Sequence, residues 1–237
     1  MILFPAIDLY EGKAVRLYKG DYANMTIYSE NPIEIARDFE ASGCKYIHMV
    51  DLEGARDGNT PNIGIVSQVA RETGLFVEIG GGIRSMDTVK RYFDAGVQRV
   101  ILGTAAVKDP AFLEAAVAAY SSAIAVGADV KDGFIAIKGW LEKSELSLEV
   151  FLERMQSLGI RNVICTDISR DGAMKGTNLG LYQLLANQFS MDITASGGVS
   201  SLEDVKALRA MELYGAIIGK AYYTGAIDLR QALEVAK

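Results

Sequence analysis

The stretch EIGGGIRSMDTVK, Glu78 to Lys90, returns in altered form as TASGGVSSLEDVK, Thr194 to Lys206. Gly81 and Gly82 of the first phrase stand 116 residues before Gly197 and Gly198 of the second. The same offset lays Gly43 on Gly159, Asp51 on Asp167, PNIG (61–64) on TNLG (177–180) and VILG (100–103) on AIIG (216–219). Chance supplies one Gly-Gly pair; it does not readily supply these matches in one register across four strand–helix units. The first unit keeps a different offset. DLYEG (8–12) falls on DVKDG (129–133), a shift of 121, so five extra residues lengthen the segment after the first strand, around RLYKGDYANMTIYSE (16–30). The pattern reads as a duplicated half, with halves at about 1–120 and 121–237.

Outward from the repeat, short apolar runs alternate with amphipathic segments. Strands are expected at 2–9, 46–52, 75–80, 99–103, 123–129, 162–168, 192–196 and 215–219. Their near-continuous Val, Ile and Ala content suits parallel strands covered by helices on the outside. Several helical patterns open at a capping Asn or Ser, and several stop at glycine: Gly43, Gly74, Gly96 and Gly159. Eight strands alternating with eight helices in 237 residues predict one α/β domain over 1–237, a closed (β/α)8 TIM barrel built from two half-barrels. An open doubly wound sheet is the alternative.

Bulk composition sets limits. The chain is 50% hydrophobic with a net charge of -6, which argues against nucleic acid or an anionic membrane as partner. Two cysteines form no disulfide framework and read as reduced thiols of a cytoplasmic protein. No apolar run is long enough for a membrane span. The opening MILFPAIDLYEGK lacks a basic leader and a cleavage site. The expected state is a monomer.

The glycine phrases lie where strands end and helices begin. There a backbone without Cβ can approach a ligand, and outward amides bring the positive end of a helix dipole. One unit later each half carries a second element, LGTAA (102–106) and IGKAY (218–222). Gly81, Gly82, Gly103 and Thr104 therefore form one expected anion cup, and Gly197, Gly198, Gly219 and Lys220 the other. The chain would hold a small molecule with a phosphate at each end. Between the cups, Asp8 and Asp129 end strands one and five, opposite each other in an eight-strand ring. Facing carboxylates suit proton abstraction on one side and donation on the other. Asp51 and Asp167, a second symmetric pair, could cap loops, orient hydroxyls or support the first pair. Thr166 could donate a hydrogen bond at the centre. His48, the single histidine, lies inside strand two and reads as packing. Lys131 reads as a solvated loop residue. No cluster has metal-ligand spacing, so neither metal nor cofactor is expected. GFIAIKGW (133–140) reads as an excursion after strand five whose Trp140 could stack on a flat ring. The long segment 17–30 is expected to be a mobile lid.

The motifs PAIDLYEGKAVRLYKGD (5–21), VDLEGARDG (50–58), GGGIRS (80–85), TDISRDGAMKGTN (166–178), SGGVSSLEDV (196–205) and IIGKAYY (217–223) together resemble the family of phosphoribosylformimino-5-aminoimidazole carboxamide ribotide isomerases of histidine biosynthesis. The resemblance spans the chain. It implies an Amadori rearrangement of a bisphosphorylated aminoaldose to an aminoketose, without cofactor. Asp8 would be the base that takes the C2 proton and Asp129 the acid that protonates the ring oxygen. Thr166 and Asp171 match positions near the reacting sugar. Lys19, Gly20, Arg84, Gly176 and Ser196, in the same motifs, join the substrate-binding set. Three alternatives remain: an isomerase acting also on phosphoribosyl anthranilate, the cyclase subunit of imidazole glycerol phosphate synthase, and a non-catalytic phosphometabolite binder.

Overall fold

The computed structural model describes residues 1–18 and 20–237. Twelve strands occur among them: β1 (Ile2–Tyr10), β2 (Lys13–Tyr18), β3 (Asp21–Ser29), β4 (Tyr46–Asp51), β5 (Phe76–Gly80), β6 (Arg99–Leu102), β7 (Ile124–Lys131), β8 (Phe134–Ile137), β9 (Glu142–Ser147), β10 (Asn162–Asp167), β11 (Asp192–Ser196) and β12 (Gly215–Ile218). Eight of them pair in parallel in the closed order β1-β4-β5-β6-β7-β10-β11-β12, with β12 returning to β1. This is the expected (β/α)8 barrel. In this ring β1 and β7 are four places apart in either direction, so their carboxyl ends face each other across the mouth.

The other four strands revise the sequence reading. The segment after β1, expected as a long loop, is instead an antiparallel hairpin: β2 pairs with the end of β1 and β3 pairs with β2. The excursion after β7 is built alike, with β8 on β7 and β9 on β8. Both first turns take two residues of positive φ, Glu11–Gly12 (48° and 77°) and Asp132–Gly133 (52° and 80°). That is the signature of a tight hairpin whose twist matches its strands. The lid expected at 17–30 thus falls mostly on β2 and β3, with Gly20 in the turn between them and Glu30 just past β3; Lys19 lies outside the described residues. Val15 and Leu17 of β2 are buried with Leu52, and Tyr10, Tyr22, Met25 and Val50 pack against them. That small apolar cluster ties the first hairpin to the barrel rim.

Most of the core lies between the strands and the outer helices. A smaller cluster of Phe4, Ala6, Ile101, Ala125, Ile164 and Ile217 fills the barrel interior. Towards the amino ends of the strands, Phe4 packs edge-on to Tyr46 at 5.3 Å, and Tyr46 contacts Phe76 at 5.2 Å. The floor is closed and the mouth is left open. Helices Met86–Asp94 and Leu202–Ala210 follow the glycine phrases. Ser85 and Ser201 cap them, accepting hydrogen bonds from the amides of Thr88 and Asp204. Of the four glycines expected at helix ends, Gly43, Gly96 and Gly159 have the left-handed φ of a helix stop, and Gly74 does not.

Candidate active site

Two adjoining cavities occupy the carboxyl end of the barrel. The larger encloses about 1250 Å³ of space open to solvent and the smaller about 290 Å³. The larger is lined by Asp8, Gly81, Gly82, Arg84, Gly103, Thr104, Asp129, Trp140, Thr166, Asp171 and Ser196, with Gly20 at its edge. Gly197, Gly198, Gly219 and Lys220 line the smaller, and Arg16, Asp171 and Ile217 border both. The fold therefore brings the two expected cups to one mouth, with the paired carboxylates between them. Two positions depart from the expected set. Gly176 lines neither cavity: its carbonyl lies 2.5 Å from where a Cβ on Gly198 would stand, so it backs the second cup. Lys19 is outside the described residues.

The glycine phrases have a packing reason beside the one expected. Side chains on Gly81 and Gly82 would run into the backbone of Asp51 and Gly54. On Gly197 and Gly198 they would stand 2.5 Å from the carbonyls of Asp167 and Gly176. All four glycines have positive φ, from 69° to 113°. They let each loop press against its predecessor. Gly103 is different: a Cβ there would meet nothing within 4 Å. It precedes the short helix Thr104–Lys108, as Gly219 precedes Lys220–Tyr223.

Asp51 and Asp167 are the scaffold of this packing. Asp51 accepts from the Gly54 amide at 2.9 Å and from the Asn62 side chain at 2.9 Å. Asp167 accepts from the Ser169 amide at 2.9 Å and from the Asn178 side chain at 2.7 Å. Neither lines a cavity, so of the three roles left open, loop capping is the one the contacts fit.

Asp8 and Thr166 are buried, and Asp129 is partly open to the cavity. Asp8 pairs with Arg16 (Nη1 to Oδ1, 2.9 Å), which also reaches Asp171 at 3.8 Å. Trp140 donates its indole N–H to Asp129 Oδ2 at 2.7 Å. Burial pushes the Asp8 carboxyl above its ordinary range, with Arg16 opposing. Burial also raises Asp129, against hydrogen bonds from Trp140 and Thr166 that favour its ionised form. Asp171 is raised for the same first reason, opposed by Arg16 and Lys220. Three carboxyls held above their usual range around one cavity mark it as a candidate site for proton transfer.

Arg16 and His48 are among the lining residues absent from the expected set. Arg16 was seen only as part of a long loop; the signal was the alternation KAVRLY, which puts Arg16 on the cavity face of β2. His48, read as packing, lines the cavity. Barrel strands are apolar on both faces, so periodicity could not tell inward from outward there. Among the described residues no group of three His, Cys, Asp or Glu could hold a metal ion, and no helix is long and apolar enough to cross a membrane.

Comparison with known proteins places the chain in a family. The family model described as histidine biosynthesis protein matches residues 2–228. A protein of Oceanobacillus iheyensis is 48% identical over 234 residues, covering 99% of this chain and 98% of its own length. One of Lactococcus lactis subsp. cremoris is 48% identical, covering 98% and 95%, and one of Clostridium beijerinckii 46% identical, covering 100% and 99%. All three are named as isomerases of a 1-(5-phosphoribosyl)imidazole-4-carboxamide that carries a (5-phosphoribosylamino)methylideneamino group at position 5. On the family match and these full-length relatives, the chain belongs to the histidine biosynthesis protein family.

Proposed function

We propose that this chain is the isomerase for which its relatives are named, converting the bisphosphorylated aminoaldose to the aminoketose by acid–base catalysis in histidine biosynthesis. The observation that carries the reading is the placement of two carboxyls raised by burial, Asp8 and Asp129, on opposite strands β1 and β7 between two glycine-built cups. A substrate gripped by a phosphate at each end lays its reacting sugar across that gap.

Asp129 acts as the acid, protonating the furanose ring oxygen so that the ring opens to an imine. Asp8 acts as the base, taking the C2 proton to give the enolamine, which gains a proton at C1 and loses that of its C2 hydroxyl to become the ketose. Raised affinities for protons serve both steps: they keep an acid charged with its proton and make a base stronger. Thr166 steadies Asp129. Arg16 balances Asp8 and, bordering the second cup, also favours a phosphate there. Gly81, Gly82, Arg84, Gly103 and Thr104 would form the first phosphate site, and Gly197, Gly198, Gly219 and Lys220 the second. Ser196 and Asp171 would contact the sugar, and Trp140 the aminoimidazole ring. The chain would work as a cytoplasmic monomer without cofactor. The shared offset of 116 between the cups supports an origin by fusion of two half-barrels.

The test is to incubate the pure protein with the aminoaldose, and separately with phosphoribosyl anthranilate, following each by absorbance. Turnover of the first is expected. Absence of turnover with both would end the reading, and turnover of both would widen it.

A further inference from the structure

Below the reacting carboxyls lies a chain of buried polar groups that the proposed steps do not use. His48 Nδ1 is 2.7 Å from Glu78 Oε1. Arg99 donates from Nη1 to Glu78 Oε2 at 3.1 Å and from Nη2 to the Tyr214 hydroxyl at 3.1 Å. Glu78 is fully buried and Arg99 is 6% exposed. The guanidinium lies between the rings of Phe76 (5.1 Å) and Tyr214 (5.6 Å). Its Nε is buried without a hydrogen-bond partner, a cost that a space-filling apolar residue at this position would not carry. The three residues stand side by side on neighbouring strands, His48 opposite Glu78 and Glu78 opposite Arg99.

The chemistry of the chain fixes the histidine. A guanidinium is always protonated, so Glu78 facing Arg99 is a carboxylate and can only accept. His48 must then donate from Nδ1, so the tautomer of the uncharged ring that fits carries its proton there. Nε2 is left with its lone pair. No group among the described residues bonds Nε2, and the ring lines the cavity. His48 is in register with Ala6, two residues before Asp8 on β1, so the ring lies beneath the gap that the sugar would bridge.

We infer that Glu78 and Arg99 form a buried tether that fixes the tautomer of His48, so that Nε2 accepts a hydrogen bond from a hydroxyl of the opened sugar. Glu78 is thus a positioning residue for the reaction. The tether stands on the geometry alone; the hydroxyl contact rests on the isomerase reading. The contact forms with the opened sugar and not with the closed ring, so its loss lowers kcat more than it raises KM.

The single histidine makes the tautomer directly measurable. In protein labelled with ¹⁵N-histidine, the ring at pH 9 should show a protonated Nδ1 and a bare Nε2. The opposite pattern would overturn the tether. Adding the aminoaldose to the Asp8→Asn protein should shift the Nε2 resonance and leave Nδ1 in place; an unmoved Nε2 in the saturated complex would overturn the contact. Glu78→Gln should mix the tautomers and lower kcat about tenfold, with KM within about twofold. His48→Leu removes the acceptor, and Glu78→Gln added to it should cost nothing more. Full kcat in Glu78→Gln, or additive losses in the double variant, would refute positioning through His48. If Glu78→Gln does not fold, the wild-type spectrum still decides the tether. A protein that binds no aminoaldose would end the isomerase reading and the hydroxyl contact together, while the tautomer, read without ligand, stands or falls separately.

Discussion

Trp140 donates to Asp129 at 2.7 Å, and its ring lies 2.5 Å from where a side chain on Gly20 would begin. One indole thus links the hairpin after β7 to the hairpin after β1, across the mouth of the barrel. Its backbone is in the left-handed region, φ 70°, which is costly for a bulky residue and persists only where neighbours enforce it. The contact has a chemical consequence. A donor on Asp129 favours the carboxylate, whereas the proposed acid needs its proton. Movement of Trp140 onto the aminoimidazole ring would release Asp129 to hold that proton.

Trp140→Phe removes the donor and keeps an aromatic ring. The Asp129 carboxyl should then titrate higher, because a hydrogen bond that favours its ionised form is gone. The alkaline limb of kcat/KM, set by loss of the acid's proton, should move to higher pH. A pH–rate profile checks it, and a limb that moves down or stays put would exclude Asp129 as the acid.

Asp8→Asn keeps the shape of the base and removes its function. Turnover should fall by roughly 10²–10⁴-fold, the usual size of a general-base contribution, while substrate binding by calorimetry stays within a few fold. Near-wild-type turnover would remove Asp8 from the mechanism.

The raised carboxyls also set a stability trend. Burial lifts Asp129 above the ordinary value of 3.8. The folded protein therefore binds that proton more tightly than the unfolded chain does. Its contribution is fully favourable below the ordinary carboxyl range and is lost as pH rises through the higher folded value. Asp129→Asn should raise Tm relative to wild type at pH 8, and the gain should shrink as pH is lowered towards 4. Melting curves at the two pH values test this; a gain that grows on acidification would contradict the assigned direction.

The glycines separate packing from binding. A side chain on Gly82 meets the Gly54 carbonyl on a left-handed backbone, whereas one on Gly103 meets nothing within 4 Å. Gly82→Ala should therefore lower Tm strongly, at a cost of several kcal/mol, roughly that of backbone strain plus overpacking. Gly103→Ala should leave Tm nearly unchanged and raise KM about tenfold, or 1.4 kcal/mol of binding, by crowding the first phosphate site. A Gly103→Ala protein with unchanged KM would move the phosphate away from this cup.

Much of this was legible in the chain. The strand–helix beat located all eight barrel strands, and the offset between Gly81 and Gly197 marked two loops that both line cavities at the mouth. Asp8 and Asp129 could be placed at opposite rims because strand order in a closed ring follows chain order. The two hairpins were missed although each carries a local signal, Glu11–Gly12 and Asp132–Gly133 between alternating segments. The count of eight units drew attention to the barrel and left its decorations as loops.

What the sequence determined by itself was the barrel and the identity of the residues at its mouth, because hydrophobic period and glycine position are local properties of the chain. What only the tertiary structure decided was what those residues touch. The glycines of the cups are needed for backbone packed against the preceding loop, a contact between segments more than 20 residues apart. Arg16 reaches Asp8 and Asp171 because β2 folds back over the mouth. His48 faces the cavity because the pleat of β4 turns it inward beside Glu78. In a barrel strand that is buried on both sides, the face a residue takes depends on its register with its neighbours, and register is set by closure of the whole ring.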